Sequence, residues 1–158
     1  MNVEELGWDP LTLGEIDHRD VCAPYVRLSS FLEGAAGDVT YVYDLRVTQP
    51  NNSYLTTDIL HSFEHLLLAG FREHMPDSFV SVAPMGCQTG FYLILQNEGR
   101  FEEVARVYQA ILDGIIAADE VPYASPDNCG QAIHHDLGGS KDLARTLLAA
   151  RAQWGQVF

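Results

Sequence analysis

The sequence predicts a single α+β domain, a mainly antiparallel sheet with helices packed on one face. Its length, its irregular alternation of strand-type and helix-type segments, and its composition all point the same way. The chain has 158 residues, enough for one hydrophobic core and too few for two. Strand-type and helix-type stretches do not follow the regular alternation of a parallel α/β fold. Hydrophobic residues make up 47% and charged residues 20%, a globular mixture that argues against disorder or a fibrous repeat.

The elements follow in order. Residues 1–20 are polar and acidic, with Pro10 and Gly14 as breakers, and read as a loosely structured segment, with 1–15 as an N-terminal arm. Val21 to Leu32 is apolar enough to contain a strand, and the Glu33–Asp38 run (EGAAGD) is a turn. Val39 to Thr48 (VTYVYDLRVT) is rich in β-branched and aromatic residues, the strongest strand signal in the chain. From Thr56 to Met75, Ile59, Leu60, Phe63, Leu67 and Phe71 recur at helical spacing, with Thr57 or Asp58 as candidate cap. Ser78–Val82 and Thr89–Gln96 read as strands around Pro84-Met85-Gly86-Cys87-Gln88. A second amphipathic helix is expected over Phe101–Ala118, a loop over Pro122–Asn128, and a third helix from about Ser140 to Trp154.

Charge narrows the function. Nine Lys+Arg stand against 22 Asp+Glu, a net charge of −13. A chain so acidic repels phosphate backbones and anionic lipid surfaces, so neither nucleic acid nor membrane is an expected partner. The acidic first ten residues lack the apolar core of a secretory signal, and no apolar run approaches the ~18 residues that would cross a bilayer. Three scattered cysteines, Cys22, Cys87 and Cys129, suit a reducing cytoplasm better than a disulfide framework.

Chemistry concentrates at His61-Ser62-Phe63-Glu64-His65, the H-x-x-E-H order. Residues four apart share a helix face, so His61 and His65 can offer two imidazoles to one ion. Glu64 beside them can serve as a base or support a ligand. The bland alternative is a polar stripe on a surface helix, but Leu66, Leu67 and Leu68 make this the most apolar stretch of the chain, and polar groups there need partners. A third ligand is then required. Cys129, in the polar loop Asp127-Asn128-Cys129-Gly130, is a candidate, and so is Cys87 in its turn. The bland alternative for Cys129 is an adventitious exposed thiol, and for Cys87 a buried inert cysteine, the commoner fate of a free thiol. Cys22 lies in a strand-like run and reads as core.

Read together, several segments resemble the S-ribosylhomocysteine lyase (LuxS) family, which makes the precursor of autoinducer-2. They are Asp17-His18 with Ala23-Pro24-Tyr25-Val26-Arg27, His61-x-x-Glu64-His65-Leu66-Leu67, Pro84-Met85-Gly86-Cys87-Gln88-Thr89-Gly90, and Cys129-Gly130-Gln131-Ala132 followed by His135-Asp136-Leu137. Asp44-Leu45-Arg46 falls at the family's arginine segment. The likeness runs from about Ile16 to Arg145. It implies one Fe(II) or Zn(II) per chain held by His61, His65 and Cys129 with a water, Cys87 and Glu64 as the acid/base pair, and His18, Arg46 and Arg72 as substrate contacts. It further implies a homodimer with the site between subunits. Leu13 and Ser81 depart from the family pattern, which has serine and aspartate there. Both fall where the family contacts substrate, Ser81 where a carboxylate pairs with the amino group of the homocysteine moiety.

The implied reaction cleaves the thioether of S-ribosylhomocysteine to homocysteine and 4,5-dihydroxy-2,3-pentanedione, by carbonyl migration and β-elimination, in signalling or in methyl-cycle recycling. Two other readings compete. One is a family member with altered substrate, or one that binds a ligand without turnover, favoured by Leu13 and Ser81. The other is an H-x-x-E-H metallopeptidase, disfavoured by the short chain and by a Cys129-type ligand.

Overall fold

The computed structural model describes residues 1–158. Four strands, β1 (Tyr25–Glu33), β2 (Val39–Arg46), β3 (Phe79–Pro84) and β4 (Gly90–Gln96), form one sheet in the order β1-β2-β4-β3. Every neighbouring pair is antiparallel. Helix α1 (Thr57–His74) connects β2 to β3, and α2 (Phe101–Ala117) and α3 (Leu137–Ala149) follow β4. This is the α+β architecture expected.

Alternation within the strands decides which side chains meet the helices. Tyr41, Tyr43 and Leu45 of β2 and Phe91, Leu93 and Leu95 of β4 are buried on the inner face. Phe63, Leu67 and Phe71 of α1 are fully buried beside them, with the Phe63 and Phe91 rings 5.7 Å apart. Each such side chain contributes about 1.5–3 kcal/mol by leaving water. Val104, Val107, Tyr108, Ile111, Leu112 and Ile115 give α2 its buried stripe. Gly70 permits the close crossing of α1 and α2, since a Cβ there would sit 2.7 Å from two carbons of Ile111.

Four local readings are corrected. The first twenty residues are not loose. They form two short 3-10 turns, Glu4–Leu6 and Pro10–Thr12. Trp8, 5% exposed, packs against Tyr43 and Phe101 and donates its indole N–H to the Gly99 carbonyl at 2.6 Å. One large aromatic is enough to seat a polar segment. Cys22 is exposed rather than core, because the strand begins only at Tyr25. Thr56, not Thr57 or Asp58, occupies the N-cap of α1, with no side-chain cap bond. Helix α3 starts at Leu137 rather than Ser140, capped by the Asp136 carboxylate accepting from Gly139 N–H at 2.8 Å, and ends at Ala149 before a 3-10 turn over Arg151–Gln153. No helix is long and apolar enough to cross a membrane.

Candidate active site and metal centre

Helix α1 presents His61 and His65 on one face, one turn apart. The segment between α2 and α3 folds back over that face. Gly139 makes the close approach possible, because a Cβ there would lie 2.6 Å from Ile59 of α1. Ser62, fully buried, accepts the backbone N–H of Asp136 at 2.7 Å. The docked segment supplies carbonyls to both imidazoles. His61 Nδ1 lies 2.9 Å from the His134 oxygen and His65 Nδ1 lies 2.8 Å from the Pro122 oxygen. A carbonyl can only accept, so both rings carry their proton on Nδ1 and leave a bare Nε2.

The same segment brings Cys129 to the bare nitrogens. Its buried Sγ is 3.3 Å from His61 Nε2 and accepts the Gln131 N–H at 3.4 Å. Around a tetrahedral ion, a histidine nitrogen at ~2.0–2.1 Å and a thiolate at ~2.3 Å stand roughly 3.5 Å apart, so this spacing suits shared ligation. His135 completes the cluster. The ligand atoms of His61, His65, Cys129 and His135 all lie within 4.8 Å of one another, a group able to bind one metal ion. Sequence reasoning did not single out His135 as a member. The usable signal was its place six residues after Cys129, just before the cap of α3.

Glu64 stands on the same turn, its Oε2 3.8 Å from His65 Nε2. Burial pushes its carboxyl upward, while the histidines and Arg72 oppose that rise. A carboxyl raised in this way holds its proton more readily than an exposed one, which suits a group that must both take and return it.

A second centre lies in a cleft of about 600 Å³ lined by His18, Arg46, Cys87 and Thr89 and by the Pro50–Tyr54 turn. Arg46 organises it from β2. Its guanidinium pairs with Asp44 at 2.7 Å, donates to Thr89 Oγ1 at 2.7 Å, and reaches His18 Nε2 at 3.4 Å and Cys87 Sγ at 3.9 Å. Asp44 is fully buried and is shared with Arg27 at 3.2 Å. Cys87 is exposed in the β3–β4 turn, where Gln88 has φ 59. Burial raises its thiol, but the hydrogen bonds from Thr89 and the Arg46 charge outweigh it and hold the thiol below its ordinary value.

The two centres do not share a cavity within one chain: no member of the histidine–cysteine group lines the cleft. Two expected contacts do not line the cleft. Arg72 is exposed on α1, its guanidinium 5.9 Å from the Tyr123 ring centroid. Ser81 is half-buried on β3, across from Ile94 on the sheet face away from the helices. Leu13 packs against the core rather than opening to the cleft.

A family model for S-ribosylhomocysteinase (LuxS) matches residues 13–158. The chain belongs to that family. Among its LuxS relatives, the S-ribosylhomocysteine lyase of Dichelobacter nodosus is 46% identical over 143 residues, covering 90% of this chain and 92% of the relative. Proteins of the same name from Halobacillus halophilus and Chromohalobacter salexigens are each 42% identical over all 158 residues, covering 98% and 96% of the relative. The LuxS match spans residues 13–158, so the thiol cleft and the histidine–cysteine group both fall within it.

Proposed function

We propose that this LuxS-family chain is a carbon–sulfur lyase that cleaves S-ribosylhomocysteine to homocysteine and 4,5-dihydroxy-2,3-pentanedione. The observation carrying this reading is the pairing of a lowered, exposed thiol with a metal-competent group that includes an adjacent carboxyl. His61, His65 and Cys129 would hold one Fe(II) or Zn(II), whose Lewis acidity would polarise a sugar carbonyl brought to it. The Cys87 thiolate removes the proton from the carbon beside that carbonyl and returns it to the neighbouring carbon. Glu64 moves the hydroxyl protons that must shift in step. Two such transfers carry the carbonyl from C1 to C3. Removal of the C4 proton then expels the homocysteine thiolate from C5, and the enol left behind becomes the dione. Arg46 and His18 hold substrate in the cleft, and Arg72 and Ser81 make outer contacts with it.

The protein works as a homodimer in which the cleft of one protomer faces the metal group of its partner. Two features support this. Neither centre alone contains a full acid/base and metal set, and the outer sheet face carries the exposed Tyr92 and Leu32 and the half-buried Val42 and Ile94. A thiol-release assay on S-ribosylhomocysteine tests the activity. Absence of free homocysteine from metal-loaded protein would overturn it. Co-expressed Cys87→Ala and Cys129→Ala chains test the assembly. A statistical mixture gives half heterodimers, each with one intact composite site, so about a quarter of wild-type activity returns. No recovery would place both centres of each site on one chain.

A further inference from the structure

The histidine–cysteine group contains three imidazoles, and their hydrogen-bond partners separate them into two kinds. His61 and His65 each give the Nδ1 proton to a backbone carbonyl. His135 has no carbonyl partner. Its Nδ1 lies 3.2 Å from Ser62 Oγ. That hydroxyl already accepts the Asp136 N–H at 2.7 Å. A hydroxyl carries one hydrogen, and the only acceptor within reach of this fully buried one is His135 Nδ1. Ser62 therefore donates to Nδ1, and the proton of the neutral His135 ring sits on Nε2. This nitrogen lies 3.8 Å from Cys129 Sγ, a sulfur hydrogen-bond length.

We infer that His135 is not a fourth metal ligand but a positioning residue: its Nε2–H, fixed by Ser62, donates to the Cys129 thiolate. This rests on the reading that Cys129 ligates the ion. Two consequences follow. One coordination position stays open for a substrate oxygen, which a fourth protein ligand would have closed. The sulfur, bonded also to the Gln131 N–H at 3.4 Å, gives less charge to the ion and leaves it a stronger Lewis acid. Ser62 thus acts on the site through its one hydrogen, although it lies on the buried side of α1.

Two measurements decide it. In a long-range proton–nitrogen NMR spectrum of ¹⁵N-labelled, Zn(II)-loaded protein, with His135→Gln identifying the signals, His61 and His65 are expected to be protonated at Nδ1 and His135 at Nε2. A His135 protonated at Nδ1 overturns the inference. In Co(II)-loaded His135→Ala, the sulfur-to-cobalt charge-transfer band is expected to move to lower energy while the ligand-field bands keep their shape. The metal dissociation constant should rise about 10–100-fold, the usual effect of losing an outer partner of a ligand. His135→Gln, which retains an N–H donor, is expected to keep a band near the wild-type position. Reshaped ligand-field bands would make His135 a ligand, and an unmoved charge-transfer band would remove its bond to sulfur. Either result overturns the inference. A wild-type Co(II) protein with no sulfur charge-transfer band would sink it together with Cys129 ligation. Absent turnover with the expected spectra would sink only the lyase reading.

Discussion

Replacing Thr89 by valine removes one hydroxyl from a buried position while nearly conserving shape, and it tests what holds the Cys87 thiol below its ordinary value. Arg46 donates to Thr89 Oγ1 at 2.7 Å, so the Thr89 hydrogen is free for the Cys87 sulfur at 3.0 Å. A hydrogen bond to a charged group contributes about 1.5–3 kcal/mol. Cys87 is exposed, and water screens part of that contribution, so the lower end applies. Arg46, 3.9 Å from the sulfur, can also close in and recover part of the loss. About 1.4 kcal/mol remains, which is tenfold in the thiolate population at a fixed pH below the titration. The sign is definite: losing a donor to the charged form raises the thiol's pKa, so alkylation shifts to higher pH. The assay is the pH dependence of iodoacetamide alkylation, run in a Cys22→Ala background because Cys22 is also exposed. Thr89→Ser should behave as wild type. An unchanged profile in Thr89→Val would refute the reasoning and leave Arg46 and the backbone N–H groups of Thr89 and Cys87 as the stabilisers.

Other substitutions separate ligation, proton transfer and support. Cys129→Ala should leave two imidazoles and strip the ion, and elemental analysis finding full metal content in that variant would remove Cys129 from the ligand set. Cys87→Ala should keep the ion and lose turnover by ~10²-fold or more; a rate above about a tenth of wild type would make Cys87 a bystander. Asp44→Ala should cost about 3–5 kcal/mol, because it leaves the buried Arg27 and Arg46 charges without their shared partner. Denaturant titration measures this, and a change under 1 kcal/mol would mean that solvent reaches both arginines.

Much of the site was legible because its chemistry is local. Four-residue spacing on an apolar helix placed His61 and His65 together, and their neighbour Glu64 came with them. Cys87 between two strand signals was a turn thiol, as found. The readings that failed depended on contacts distant in sequence. The polar first twenty residues gave no sign that Trp8 would reach Gly99, 91 residues away. Cys22 resembled a strand residue by composition, yet the strand starts three residues later. His135 looked like one of several loop histidines until α3 docked its N-terminus on α1.

The sequence by itself determined the fold class, the strand and helix segments, and most of the residues that line the two candidate centres. Periodicity and side-chain type are properties of short windows, and hydrophobic burial enforces them without reference to distant chain. Only the tertiary structure decided which nitrogen each histidine exposes, that Asp44 neutralises two arginines at once, and that the thiol and the metal group occupy separate centres of one chain. Those outcomes depend on hydrogen bonds between segments tens of residues apart. A buried donor or acceptor must be satisfied wherever the packed chain happens to supply a partner, and no local pattern in the sequence specifies that partner.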